Sequence, residues 1–239
     1  MNMDNKEIIL SKRMQMVADM VTKGSVVADI GCDHGFVSIY LTEKGICPHV
    51  IAMDVNEGPL LRAKEHIVER GLSSRIDVRL SDGMKQLQDR EADAVIIAGM
   101  GGRLVIKILS AHMDRVRNLR EIILQPQSEI HLVRTFLSGN GFSIVQEDMV
   151  EDAGKYYPCI KASYCGKKEE YTDCEAWYGP LLLQLKHPVL REYLLKEKRQ
   201  YETIALQIRN HAQKTDAGQE KEDAIKDRQK RVDRALTYF

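Results

Sequence analysis

The sequence predicts an α/β fold, an open and mostly parallel sheet of seven strands, followed by an α-helical coiled-coil hairpin. Three observations carry this prediction. Four short apolar runs each end in an acidic, polar or glycine-rich turn, helix-patterned segments separate them, and after Pro188 the chain changes to long polar helices with a narrow apolar seam.

Leu10 to Val21 carry Met14, Val17, Ala18 and Val21 at helical spacing and stop at Gly24, so an opening helix leads into the first strand, Val26 to Ile30. Gly31 and Gly35 then turn the chain, and Phe36 to Leu41 resume a helical pattern. His49 to Met53 form a second strand ending at Asp54, followed by a helix capped by Asn56, with Pro59 in its first turn and Gly71 as its stop. The third strand, Ile76 to Leu80, runs into Ser81-Asp82-Gly83. The fourth, Ala94 to Ala98, runs into Gly99-Met100-Gly101-Gly102. Leu104 to Leu109 read as a helix and Glu121 to Leu124 as a fifth strand ending at Gln125-Pro126-Gln127, with Ser128 as N-cap of a helix that reaches Leu137. After the break at 138–141, Phe142 to Val145 and Tyr157 to Tyr164 read as a closing antiparallel hairpin turning near 151–155. From Leu190 the seam Leu190, Leu194, Glu197, Tyr201, Ile204, Ile208 and His211 steps by four and three, with one polar lapse at Glu197. Asp216, with Gln219 three residues on, is the candidate cap of a second helix that places Ile225, Val232, Leu236 and Phe239 on one face. Neither narrow seam is stable alone, so the two helices are expected to pair.

The chain has 239 residues, 35 Lys plus Arg and 35 Asp plus Glu, which removes net charge as an argument for a nucleic-acid partner. Residues 160–239 carry 16 cationic against 13 acidic side chains, a mild basic bias on the helical part. No run approaches the ~20 apolar residues of a membrane span and the N-terminus lacks a signal-peptide core, so a soluble, cytoplasmic protein is expected. Cys32, Cys47, Cys159, Cys165 and Cys174 show no C-x-x-C spacing, which predicts reduced thiols and no metal site. Cys32 lies inside the glycine turn and reads as a small buried packing residue rather than a nucleophile.

The first turn carries the chemistry. A pyrophosphate prefers bare backbone N–H groups at a helix N-terminus, and Asp29 and Asp33 beside the turn repel it. A cationic ligand is favoured instead, and S-adenosylmethionine carries both a sulfonium and an amino group. Asp54 stands about 20 residues after the glycine turn, where such folds place an acid on ribose hydroxyls. Asp82 stands where an adenine amino group is read. The candidate donor-binding set is Asp29, Gly31, Cys32, Gly35, Asp54, Val55, Asn56, Asp82, Gly83, Gly99 and Gly101. The candidates beside the reacting atoms are Asp33, His34 and Met100.

Asp-Ile-Gly-Cys-Asp-His-Gly at 29–35, Ile-Ala-Gly-Met-Gly-Gly at 97–102, Ile-Leu-Gln-Pro-Gln at 123–127 and Lys-Tyr-Tyr at 155–157 together resemble the bacterial tRNA adenine-N1 methyltransferases that modify position 22. The resemblance covers nearly the whole chain. It implies a Rossmann-like class I methyltransferase domain over residues 1–165, a helical coiled-coil domain over 166–239, S-adenosylmethionine as cofactor, and tRNA as partner of a monomer or weak homodimer. The Asp/Asn-Pro-Pro-Tyr/Phe segment that many amino-directed adenine methyltransferases carry after the fourth strand is missing. Ring N1 has an in-plane lone pair and needs no strong general base, so positioning and electrostatics carry the rate. The target base must be extruded to reach the pocket. Lys196, Lys198, Arg199, Arg228, Lys230 and Arg231 are candidates for phosphate contacts. Only one of Tyr156 and Tyr157 can face the site on a strand, as a candidate to stack on a base, and Arg13 on the opening helix is a candidate to reach RNA, with an ordinary exposed arginine as the default. Competing readings are a methyltransferase on another RNA or a small molecule, a nicotinamide-dependent oxidoreductase, and a non-catalytic scaffold that keeps the donor pocket and acts through its coiled coil.

Overall fold

The computed structural model describes residues 8–211 and 216–239, which form two compact units, Met1–Glu170 and Tyr171–Phe239. The first contains a seven-stranded sheet of order β3-β2-β1-β4-β5-β7-β6. Its strands are β1 (Val27–Ile30), β2 (Val50–Asp54), β3 (Ile76–Leu80), β4 (Ala94–Ala98), β5 (Glu121–Gln125), β6 (Phe142–Asp152) and β7 (Lys155–Tyr164). β1 to β5 pair in parallel, and β7 runs antiparallel to both β5 and β6. The helices are α1 (Lys12–Asp19), α2 (Phe36–Glu43), α3 (Glu57–Glu69), α4 (Gly102–Ala111), α5 (Met113–Arg117) and α6 (Ile130–Gly139). β1, β2 and β5 are buried at every residue, as continuous apolar strands of a parallel sheet covered on both faces must be. β1 lies between β2 and β4, so the strand order reverses there, and the carboxyl ends of β1 and β4 form the switch point at which open α/β sheets bind ligands.

The opening helix is tied to the sheet by a buried charge. Glu121 accepts hydrogen bonds from the Thr22 N–H (2.8 Å) and hydroxyl (2.5 Å) and pairs with Lys161 Nζ (2.8 Å), which also donates to the Met20 carbonyl. A second buried pair, Arg134 to Glu147 at 2.8 Å, locks α6 to β6.

Two sequence expectations are corrected. The closing strands are longer than the apolar alternation indicates, because an irregularity between Ile144 and Gln146 shifts the register and Arg134 lets the charged Glu147 turn inward. Ser128 does not cap α6. Glu129 precedes that helix in a left-handed conformation (φ 51°), while the Ser128 carbonyl accepts the Gly102 N–H at 3.0 Å. Short helices at 113–117, 173–178 and 180–184 also went unread, too brief to show a helical period.

The second unit comprises α7 (Asp173–Tyr178), α8 (Pro180–Gln184), α9 (Pro188–His211) and α10 (Asp216–Leu236). α9 and α10 pack as a hairpin around Leu190, Leu194, Ile225, Val232 and Ala235, with Lys198 on Asp233 at 2.7 Å. The side chains of His211, Asp216 and Gln219, where the end of the seam and the second cap were placed, lie outside the described residues. The polar lapse at Glu197 has a structural reason: its carboxylate accepts hydrogen bonds from the hydroxyls of Tyr178 (3.0 Å), Tyr193 (2.9 Å) and Tyr201 (2.8 Å).

Candidate functional site

Asp29, on β1, is buried at 5 % exposure and accepts a hydrogen bond from the Ser38 hydroxyl at 2.7 Å. Burial, with a smaller contribution from Asp54, pushes its carboxyl up to about 6 despite that hydrogen bond. Among the described residues no cation stands beside it, and a cationic ligand would satisfy the buried acid. After β1 the chain turns through Gly31 (φ 75°), Asp33 (φ 51°) and Gly35 (φ 74°). A left-handed aspartate is a local strain that the surrounding hydrogen bonds must hold. The Gly31 and Cys32 N–H groups donate to the Met53 carbonyl, and the Asp33 N–H donates to Asp54 Oδ2 at 3.2 Å.

Asp54 thus organises two turns at once, since its Oδ1 also accepts the Asn56 N–H at 2.8 Å ahead of α3. Each carboxylate oxygen retains a lone pair for a ribose hydroxyl. Val55 next to it is 59 % exposed, an open apolar wall. Beyond β3, the Ser81 hydroxyl donates to the Gly83 carbonyl and shapes the turn, leaving Asp82 exposed and paired with Lys85 at 2.6 Å. That ion pair holds the Asp82 carboxyl below its ordinary value. Cys32 is buried and its thiol is pushed far up by burial first and then by Asp29 and Asp54, which makes it inert as a nucleophile.

The turns after β1 and β4 touch. Gly31 needs its φ of 75°, and the absent Cβ leaves the space into which the flexible end of Met100, Cε, reaches over the first turn. Gly99 takes φ 81° and its N–H donates to both the carbonyl (3.0 Å) and the side-chain oxygen (3.2 Å) of Gln125. Gly101 caps α4, and a Cβ on Gly102 would lie 2.5 Å from the Ser128 carbonyl oxygen. The His34 ring has its partners on another side, in α3 and the first turn of α2. Its Nδ1 accepts from Arg62 Nε at 3.2 Å, its carbonyl accepts from His66 Nδ1, and it stacks beside Phe36. Its Nε2 lies 3.6 Å from Asp33.

Against known proteins, residues 10–160 match a family model described as a methyltransferase domain. The chain is 33 % identical to the tRNA (adenine(22)-N(1))-methyltransferase of Bacillus subtilis, over 93 % of this chain and 94 % of that one. The chain belongs to this methyltransferase family. Its fold agrees with the crystal structure of the B. subtilis m1A22 tRNA methyltransferase, at a TM-score of 0.84 and 31 % identity over 96 % of this chain and 100 % of that chain. It agrees equally with a Streptococcus pneumoniae protein crystallised with S-adenosyl-L-methionine, TM-score 0.84 and 29 % identity over 95 % and 100 % of the two chains.

Sequence reasoning undervalued one residue of this methyltransferase. Arg13 is half-buried, its Nη1 donates to the Gln125 side-chain oxygen at 2.9 Å, and its guanidinium lies over the Tyr157 ring at 5.5 Å. Its backbone N–H donates to Asp152. It therefore stands beside the Gly99 turn rather than in open solvent, with Nη1 3.6 Å from where a Gly99 side chain would begin. The signal in the sequence was only the Gln125-Pro126-Gln127 turn, which names no partner for it. Among the cations of the helical unit, Lys198, Lys230 and Arg231 pair with Asp233, Asp227 and Asp173, and Arg231 also covers the Trp177 ring at 4.1 Å. Much of that charge is spent within the unit.

Proposed function

We propose that this chain transfers a methyl group from S-adenosylmethionine to N1 of an adenine in tRNA, at position 22 as in the family. The observation that carries the reading is the acidic turn at the carboxyl end of β1, where buried Asp29 has no cationic partner among the described residues. The donor supplies an electrophilic methyl on a sulfonium. Asp29 offers negative charge to the donor's amino group, which S-adenosylhomocysteine keeps, Asp33 offers it to the sulfonium, Gly31, Cys32 and Gly35 offer close backbone, and Asp54 and Asn56 face the ribose. Val55, Asp82 and Gly83 frame the donor's adenine, while Gly99 and Gly101 open the backbone of the second turn to the acceptor.

Adenine N1 attacks through its own lone pair, so the chain's work is placement, exclusion of water and tolerance of a cationic product. Asp33 is an exposed carboxylate next to the turn and stabilises positive charge as it passes to the base. His34 brings its Nε2 to 3.6 Å from Asp33, beside that carboxylate, and Met100 contributes shape over Gly31. Residues 1–165 act as the donor-binding domain and residues 166–239 as the helical domain, whose Arg199 and Arg228 are left for phosphates. We place the enzyme in the cytoplasm as a monomer or weak homodimer. Among the described residues no helix is long and apolar enough to cross a membrane. Calorimetry tests the donor: binding of S-adenosylhomocysteine and not NAD supports the reading, and binding of neither defeats it.

A further inference from the structure

The site offers a second, uncharged group at the acceptor side, and this inference rests on the reading above. Gln127 follows buried Gln125 and Pro126 at the end of β5, and its own side chain is exposed. Its backbone N–H donates to the Met100 carbonyl at 2.9 Å, which fixes it to the turn after β4. Its amide nitrogen lies 3.9 Å from where a Gly99 side chain would begin, so the missing side chain of Gly99 leaves the amide facing open space. Among the described residues that amide has no hydrogen-bond partner, in contrast to Gln125, whose oxygen is taken by Arg13 and Gly99. Arg13, clamped between Gln125 and Tyr157, closes the other side of the same glycine.

A primary amide presents one acceptor and one donor side by side. Adenine presents the matching pair, N6–H and N7, on the edge adjacent to N1, whereas guanine presents two acceptors there and the pyrimidines have no N7. We propose that Gln127 reads the acceptor base through this pair, its oxygen accepting from N6–H and its nitrogen donating to N7. N1 then stays free to attack. As methyl transfer makes the ring cationic, N6–H becomes a stronger donor and the contact tightens, so its loss lowers kcat as well as raising KM.

The test uses the full chain and two tRNAs, one unmodified and one carrying 7-deazaadenosine only at the methylated position. The unsubstituted enzyme is expected to lose roughly 10- to 100-fold in kcat/KM on the 7-deaza tRNA. Gln127→Ala is expected to be reduced to a similar extent on normal tRNA, to lose little more on the 7-deaza tRNA, and to bind S-adenosylhomocysteine as the parent does. Equal 7-deaza losses in parent and variant, or full activity of Gln127→Ala, would overturn the assignment while leaving the methyltransferase reading intact. An unsubstituted enzyme that methylates neither tRNA would overturn both.

Discussion

Replacing Asp29 by Asn separates stability from donor binding. The carboxyl is fully buried and its ionisation is raised from 3.8 to about 6. An acid raised in the folded state keeps its proton between those values while the unfolded chain has lost it, so this group's contribution to stability falls as pH rises from about 3.8 to about 6 and is flat above. At about 1.36 kcal/mol for each pH unit between the two values, holding the ionised carboxylate inside the free protein at neutral pH costs about 3 kcal/mol. The Asn amide keeps an oxygen for the Ser38 hydroxyl and removes the repulsion with Asp54. Asp29→Asn is therefore expected to raise the stability of the free protein by up to about 3 kcal/mol, or about 6–12 °C in Tm for a unit of this size. With S-adenosylhomocysteine at about 100 times its Kd the parent gains about 2.7 kcal/mol, and the variant gains almost nothing. Denaturant and thermal unfolding at about pH 7.5, each with and without S-adenosylhomocysteine, measure both effects. A variant no more stable than its parent, or one that binds the product with unchanged affinity, refutes the reasoning.

Donor affinity of the parent, followed by calorimetry across pH, is expected to fall as pH drops through about 6, because a protonated Asp29 no longer offers a charge; an affinity flat across that range would remove Asp29 from the donor site. Arg134→Ala takes the guanidinium away from buried Glu147 and is expected to cost about 3–5 kcal/mol in denaturant unfolding. Replacing the pair together by Met and Leu should recover most of that loss. Gly102→Ala pushes a methyl against the carbonyls of Ser128 and Glu129 and is expected to cost about 1–3 kcal/mol and slow methyl transfer by displacing the 99–102 turn. Burial and then Glu197 push Tyr201 up to about 12. In Glu197→Ala an ultraviolet titration should show the tyrosines ionising at lower pH, and an unchanged curve would contradict the three-tyrosine arrangement.

The parallel half of the sheet was legible because β1, β2, β4 and β5 are mostly apolar runs, and edge strand β3 alternates, each ending at turn residues. Each turn could be read locally: Gly31 and Gly35 do in the structure what their spacing implied, and Asn56 stands at the N-cap position of α3, although its side chain makes no capping hydrogen bond. What escaped reading depends on partners far along the chain. Glu147 looks like a strand end until Arg134 of α6 neutralises it, and Glu197 looks like a flaw in a seam until three tyrosines surround it. Arg13 looks like any surface arginine because its place is set by Gln125, 112 residues away. Ser128 has the composition of a cap, yet the absence of a side chain at Gly102 draws its carbonyl elsewhere.

The central claim is methyl transfer to adenine N1 in tRNA, and one measurement addresses it directly. Purified protein is incubated with unmodified bacterial tRNA and methyl-labelled S-adenosylmethionine, and the tRNA is digested to nucleosides. Label in 1-methyladenosine is the predicted result; label in another nucleoside, or none in tRNA while S-adenosylhomocysteine binds tightly, would contradict it.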